Sequence, residues 1–148
     1  MAPFSAGPLV PIPNGMGAAL ESPVLARTAV VVDDEQVVRM VLHRFLDRRG
    51  WSVVEAGSAE QALVAITGAG EPPDLVLCDL HLPGLSGSAL FRRIVELHPA
   101  LAGRLVLTSG DPLAAAHELE SEGLRCPVLG KPFSLADLDA LLDTLVAL

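Results

Sequence analysis

Leu75-Val76-Leu77-Cys78-Asp79-Leu80-His81-Leu82-Pro83-Gly84 is the stretch on which the fold turns. Four apolar residues without alternation, then an acid, then a Pro-Gly turn, read as a short strand buried on both faces. That is the signature of a parallel sheet covered by helices on each side. The pattern recurs upstream in Ala29-Val30-Val31-Val32, closed by Asp33-Asp34-Glu35, and downstream in Leu105-Val106-Leu107, closed by Thr108-Ser109-Gly110. With two weaker runs added, strands are expected at residues 29–33, 52–56, 75–79, 104–109 and 127–130. Longer segments of helical period separate them, so the chain reads as an α/β protein of five βα units around a doubly wound parallel sheet.

Start and stop signals place the five helices. The first is expected over residues 35–49, with acids at its start, Arg48 and Arg49 before Gly50, and an apolar stripe of Val37, Met40, Val41 and Phe45. Ser58-Ala59-Glu60-Gln61 and Ser134-Leu135-Ala136-Asp137 have capping-box spacing and open the second and fifth helices. The third spans residues 86–98 and ends before Pro99, because a residue preceding proline is disfavoured in helical geometry. Asp111-Pro112 offers an N-cap acceptor followed by proline at the first helical position, opening a fourth helix that stops at Gly123. Leu135, Leu138, Leu141, Leu142 and Leu145 form the apolar side of the fifth helix. That helix reaches the end of the given chain, so no effector domain is expected after it.

Size and charge exclude other classes. A chain of 148 residues corresponds to about one domain and can bury roughly 68–70% of its unfolded surface, so it needs no staples. Cys78 and Cys126 alone do not make a disulfide framework and read as buried hydrophobes in a reducing compartment. A net charge of −8, with no Tyr and one Trp, speaks against direct contact with nucleic acid. Residues 1–20 carry no charge, yet Pro3, Pro8, Pro11 and Pro13 with Gly7, Gly15 and Gly17 break any apolar helix, and no basic segment precedes them. Residues 1–27 are therefore expected to be a Pro/Gly-rich tail or linker, and residues 28–148 the folded unit. The other apolar runs fall far short of the roughly 20 residues that span a bilayer, so a cytoplasmic protein without membrane contact is expected.

Asp33 and Asp79 end apolar strands, and in open α/β sheets ligands bind at the carboxyl ends of strands where the strand order reverses. If the first and third strands flank that point, both carboxylates enter one crevice, with Asp34 on the same loop. At about 4 Å and an effective dielectric of about 20, each like-charge pair costs about 4 kcal/mol. Such a cluster needs cations. A hard divalent ion such as Mg²⁺ suits an open acidic pocket, and Lys131, after the fifth strand, can bring an ammonium to the same place. Ser109 offers a hydroxyl at the same rim. Asp33-Asp34-Glu35 alone would suit a helix N-terminus, and Lys131-Pro132 alone a loop end, but four polar positions at the tips of strands one, three, four and five point to one site.

Val31-Val32-Asp33-Asp34-Glu35, Leu77-Cys78-Asp79-Leu80-His81-Leu82-Pro83-Gly84-Leu85-Ser86-Gly87, Thr108-Ser109-Gly110 and Lys131-Pro132-Phe133 resemble the receiver domain of bacterial two-component response regulators. The likeness spans residues 28–148 and holds in order and spacing. It implies a flavodoxin-like sheet of order 2-1-3-4-5. It also implies that Asp79 accepts a phosphoryl group from the phosphohistidine of a histidine kinase or phosphotransfer protein. Mg²⁺ would be held by Asp33, Asp34, Asp79 and the backbone carbonyl of His81, and Lys131 would pair with the phosphoryl oxygens. The bond from Lys131 to Pro132 is a candidate for the cis form. The resemblance further implies a switch in which Ser109 moves toward the phosphoryl group and shifts a two-state equilibrium reported by helix 4, strand 5 and helix 5, a surface that also serves for a homodimer. Val128 stands where such domains usually carry Tyr or Phe, which counts against aromatic rotation as the readout.

Such a chain is a signalling domain rather than an enzyme, assisting its own phosphorylation and slow dephosphorylation. Three other readings compete. An aspartyl-nucleophile phosphohydrolase would want an acid two residues after the nucleophile, where His81 stands. A flavin or dinucleotide binder needs a glycine- or hydroxyl-rich loop after the first strand, where Asp33-Asp34-Glu35 would repel phosphate. An interaction module that keeps the fold but signals by dimerisation has no need of the full acidic set. The Pro/Gly-rich tail fits both a free-standing receiver and one taken from a hybrid kinase. His43, His98 and His117 lack metal-site spacing and read as surface residues, whereas His81 lies two positions after Asp79 and can govern water access there.

Overall fold

Short apolar strands and longer amphipathic helices alternate along the chain in a computed structural model that describes residues 27–68 and 70–146. The strands are β1 (Thr28–Val32), β2 (Ser52–Ala56), β3 (Leu75–Asp79), β4 (Leu105–Ser109) and β5 (Val128–Gly130). The helices are α1 (Gln36–Arg48), α2 (Ala59–Gly68), α3 (Gly87–Leu97), α4 (Pro112–Ser121) and α5 (Leu135–Val146), and a 3₁₀ turn over Pro99–Gly103, not foreseen from sequence, leads into β4. All strand pairs are parallel, in the order β2-β1-β3-β4-β5. This is the flavodoxin-like doubly wound arrangement. Apart from Arg27, the tail expected over residues 1–27 lies outside the described residues.

Strand alternation sends neighbouring side chains to opposite faces of the sheet, and each face carries its own core. Val30, Val32, Val76, Cys78, Leu105 and Leu107 pack with Ile66, Leu90, Ile94 and Leu119 from α2, α3 and α4. Ala29, Val31, Leu75, Leu77 and Val106 pack with Leu42, Phe45, Leu46, Leu138 and Leu142 from α1 and α5. Every residue of β3 and β4 is buried, which explains why those two runs show no polar alternation.

The caps form largely as the spacing predicts. Ser134 Oγ accepts from Asp137 N–H at 3.0 Å while Asp137 Oδ2 accepts from Ser134 N–H at 3.2 Å, a reciprocal capping box. Ser58 Oγ accepts from Gln61 N–H at 3.2 Å, but Gln61 Oε1 reaches one residue further back, to Gly57 N–H at 2.8 Å. Asp111 Oδ1 accepts from Ala114 N–H at 3.1 Å, with Pro112 at the first helical position. At α1 the N-cap residue, Glu35, makes no side-chain cap bond, and Asp33 Oδ1 takes the Glu35 N–H at 2.9 Å instead.

One expectation is corrected. Of the stripe Val37, Met40, Val41 and Phe45, only Phe45 is buried; α1 docks through Leu42, Phe45 and Leu46, and Val37 is 72% exposed. The rejected stripe runs into Arg44 and Arg48 one and two turns on, so it cannot continue into a core. The stripe through Val38, Leu42, Phe45 and Leu46 continues to Arg49, which closes it without burial of charge. The Arg49 guanidinium lies 3.7 Å over the Phe45 ring and grips Asp139 of α5 with two hydrogen bonds of 2.9 Å. On α5, Leu138 and Leu142 are buried while Leu135 is exposed.

Leu46→Ala should lower the unfolding free energy by about 2–5 kcal/mol, whereas Val37→Ala should change it by less than about 0.5 kcal/mol. Urea melts of the two variants check the docking face of α1, and equal losses would return Val37 to the core.

Candidate functional site

β1 and β3 are neighbours at the centre of the sheet, and their register pairs Val32 with Cys78. The next residue of each chain segment, Asp33 and Asp79, therefore emerges at one level above the strand tips. One carboxylate oxygen from each of Asp33, Asp34 and Asp79 lies within 4.8 Å of the others. Asp33 is 1% exposed and Asp79 8%, while Asp34 faces solvent. Burying two carboxylates this close together requires compensation from other groups.

Lys131 supplies part of it. Its Nζ donates to Asp33 Oδ2 at 2.9 Å and to Asp79 Oδ2 at 3.1 Å, reaching across the tip of β4 from the end of β5. The backbone helps hold it there, since Lys131 N–H donates to the Ser109 carbonyl at 2.7 Å. The Lys131–Pro132 peptide is cis. Partial burial works to lower the Lys131 pKa, but hydrogen bonds to Asp33 and Asp79 and the attraction of both carboxylates outweigh it and hold the ammonium charged above its usual range. Three carboxylates against one ammonium still leave two negative charges, the charge of one divalent cation. An all-oxygen set with one ligand open to solvent suits a hard ion that keeps waters, so the residues present fit Mg²⁺.

The loops complete the rim. His81 N–H donates to Asp79 Oδ1 at 3.0 Å, so both carboxylate oxygens of Asp79 are engaged, one by backbone and one by Lys131. The segment between β3 and α3 turns back on itself: Gly87 N–H donates to the Leu80 carbonyl at 2.7 Å. A Cβ at Gly87 would sit 2.6 Å from Leu80 Cα and 2.7 Å from the Asp79 carbonyl, so only glycine allows this approach. Ser109 is fully buried at the tip of β4, and its Oγ accepts from Asp111 N–H at 3.1 Å. Since Asp111 caps α4, the hydroxyl is two hydrogen bonds from that helix's first turn.

The site residues singled out from sequence thus fall together: Asp33, Asp34, Asp79 and Lys131 by the approach of their side chains, and Ser109 and His81 by hydrogen bonds to Lys131 and Asp79 through their backbones. The cysteines stay apart from the chemistry. Burial, then the charges of Asp79 and Asp33, push the Cys78 thiol far above its ordinary range, and burial pushes Cys126 up to about 11, so neither is a thiolate near neutrality. Arg39 and Glu55 went unnoticed in the sequence. Arg39 Nη1 donates to the Asp33 carbonyl and its Nε to Glu55 Oε1 at 3.3 Å. The only linear signal was Arg39 and His43 one turn apart, and it had no meaning until α1 lay against β2.

The family model described as the response regulator receiver domain matches residues 29–143. Among curated relatives, the DNA-binding transcriptional regulator NtrC of Klebsiella pneumoniae is 34% identical over 119 residues, covering 80% of this chain and 24% of that protein. Sensor kinase CckA of Brucella abortus is 35% identical over 112 residues, 75% of this chain and 12% of that protein. The chain thus spans a quarter or less of the length of these two relatives. The signal receiver domain of an HD domain-containing protein from Pseudomonas fluorescens superposes with a TM-score of 0.72 at 27% identity, covering 83% of this chain and 96% of that one. The receiver domain protein of Clostridium thermocellum also gives 0.72, at 24% identity, over 82% of this chain and 94% of that one, which speaks for the fold alone. Fold, strand-tip residues and sequence likeness agree, and the chain belongs to the response regulator receiver domain family of two-component signalling.

Proposed function

We propose that this receiver domain is switched by transfer of a phosphoryl group to Asp79 from the phosphohistidine of a histidine kinase or phosphotransfer protein, with Mg²⁺ as cofactor. The observation that carries the reading is Lys131 Nζ bridging the buried Asp33 and Asp79 carboxylates beside Asp34. Asp33, Asp34, Asp79 and the His81 carbonyl would hold the ion, which would shield the incoming phosphoryl oxygens from the carboxylates. An Asp79 oxygen attacks phosphorus as the P–N bond of the donor breaks, and the bonding pair returns to the imidazole nitrogen. Lys131 gives up its contact with Asp79 Oδ2 for a phosphoryl oxygen while keeping Asp33. Water later attacks phosphorus, releasing inorganic phosphate and restoring the carboxylate.

Beside Lys131, Val37, Val38, Val41, Pro132, Phe133 and Leu135 line an open apolar groove. It supports docking of the donor there, since a phosphohistidine must come within bonding distance of Asp79 while its protein body rests alongside. The Ser109 hydroxyl, turned toward Asp111 in this state, can donate to a phosphoryl oxygen and draw the loop before α4 with it. Helix α4, β5 and α5 would report the change, to a partner or a second copy, with Leu113 on α4 81% exposed. Val128 is half-buried and carries no ring, so the change would be read without aromatic rotation. The receiver unit is taken as residues 28–148, with residues 1–27 as its linker. No described helix is long and apolar enough to cross a membrane, and a cytoplasmic location without direct nucleic-acid contact is part of the proposal.

With Mg²⁺ and a small phosphodonor, intact-mass and peptide analysis should place the added phosphoryl group on Asp79, and Asp79→Asn should abolish it; persisting label on another residue overturns the assignment. His81 is exposed and two residues from Asp79, so His81→Ala should alter the dephosphorylation rate, and an unchanged rate removes His81 from control of water access. The raised Lys131 pKa has a definite sign in stability: its contribution is complete below the unfolded value of about 10.4 and is lost as pH rises through the higher native value. The stability gap between the native protein and Lys131→Met should therefore narrow as urea melts are moved from neutral to strongly alkaline pH. A constant gap would show that the ammonium charge contributes nothing.

A further inference from the structure

Outside the strand-tip cluster, one polar network has no part in the chemistry described so far. It runs from solvent to the backbone of Asp33. His43 Nδ1 lies 2.7 Å from Glu55 Oε2, Glu55 Oε1 accepts from Arg39 Nε at 3.3 Å, and Arg39 Nη1 donates to the carbonyl oxygen of Asp33. The fold assembles it from two elements. Arg39 and His43 stand one turn apart on the same face of α1. Glu55 lies on β2, the edge strand, paired in register with Val31.

The target of this network is specific. Asp33 is where β1 leaves the sheet: its N–H still pairs with the Ala56 carbonyl at 3.1 Å, but its own carbonyl points beyond the last ladder pair, Val32 with Ala56. Arg39 takes up that carbonyl. The peptide bond so held joins Asp33 to Asp34, the two carboxylates that lie within 4.8 Å of each other and of Asp79. The orientation of this peptide sets where the Asp34 side chain stands relative to Asp33. Gly57 shows that the approach is tight: a Cβ there would lie 3.3 Å from Arg39 Nη1, closer than side chains ordinarily come. The Arg39 side chain is only 17% exposed, although it is cationic.

We propose that Arg39 is a positioning residue for the cation site, fixing the Asp33–Asp34 peptide so that both carboxylates converge, with Glu55 holding the guanidinium in place and His43 supporting Glu55. The inference rests on the proposed binding of a divalent cation by Asp33, Asp34 and Asp79. Hydrogen bonds that orient a metal's ligating groups matter to affinity, and losing one typically costs about 10–100-fold. Electrostatics alone predicts the reverse of positioning: removing a cation near an acidic pocket strengthens the binding of another cation. The sign of the change therefore separates the two.

The test uses the full chain titrated with Mn²⁺, followed by the electron paramagnetic resonance of the free ion, alongside thermal melts of each variant without metal. Arg39→Met should weaken Mn²⁺ binding about tenfold. Arg39→Lys, whose ammonium reaches about the level of the guanidinium carbon and can still donate to the Asp33 carbonyl, should recover most of the affinity, and Glu55→Gln should fall between. Unchanged or tighter binding in Arg39→Met overturns the positioning role. So does a loss that Arg39→Lys fails to recover while its melting temperature stays at that of the native protein. If the native protein itself does not bind Mn²⁺, the cation site fails first, an outcome distinct from a native protein that binds as well as its Arg39→Met variant.

Discussion

The ammonium of Lys131, held 2.9 Å from Asp33 and 3.1 Å from Asp79, is the contact on which the rest of the arrangement leans. At separations near 4.8 Å and an effective dielectric of about 20, each carboxylate pair in the hollow repels by roughly 3–4 kcal/mol, and Asp33 and Asp79 have almost no solvent to relieve it. Lys131 can reach both because the tip of β5 is level with that of β4, across which its side chain extends. The 2.7 Å bond from Lys131 N–H to the Ser109 carbonyl fixes that level. Short as it is, with three residues, β5 is thus the element that delivers the counter-charge.

Charge balance gives the hollow its sensitivity. Two negative charges remain after Lys131 is counted; a divalent ion would cancel them, and under the proposed function an acyl phosphate on Asp79 would add about one more. Any such change is felt by Lys131 directly and by Ser109 next to it in the backbone hydrogen-bond chain. Ser109 in turn holds the N–H of Asp111, the cap of α4. A short covalent and hydrogen-bonded route thus joins the hollow to the first turn of one helix.

Several features were legible in the residue order because they depend on neighbours in the chain. Ser58, Ser86, Asp111 and Ser134 announce helix starts through bonds to residues three positions on, and the unbroken apolar runs before Asp79 and in β4 announce strands covered on both sides. The face of α1 was not legible in this way. Val37, Met40 and Val41 are as apolar as Leu42, Phe45 and Leu46, and the choice between them is made by what the helix meets on the sheet and by Arg44 and Arg48 further along. Arg39 and Glu55 were invisible for the same reason, since their partnership exists only across the α1–β2 contact.

By itself, the sequence determined that Asp33, Asp79, Ser109 and Lys131 would stand at strand ends, because hydrophobic patterning and turn residues are local and each of these positions closes an apolar run. Only the tertiary structure decided that they meet. The order β2-β1-β3-β4-β5 and its register set which tips are adjacent and at what height, and those are properties of hydrogen bonding between segments dozens of residues apart. Proximity between charges, and so the chemistry of the hollow, has no expression in the order of residues until the sheet is formed.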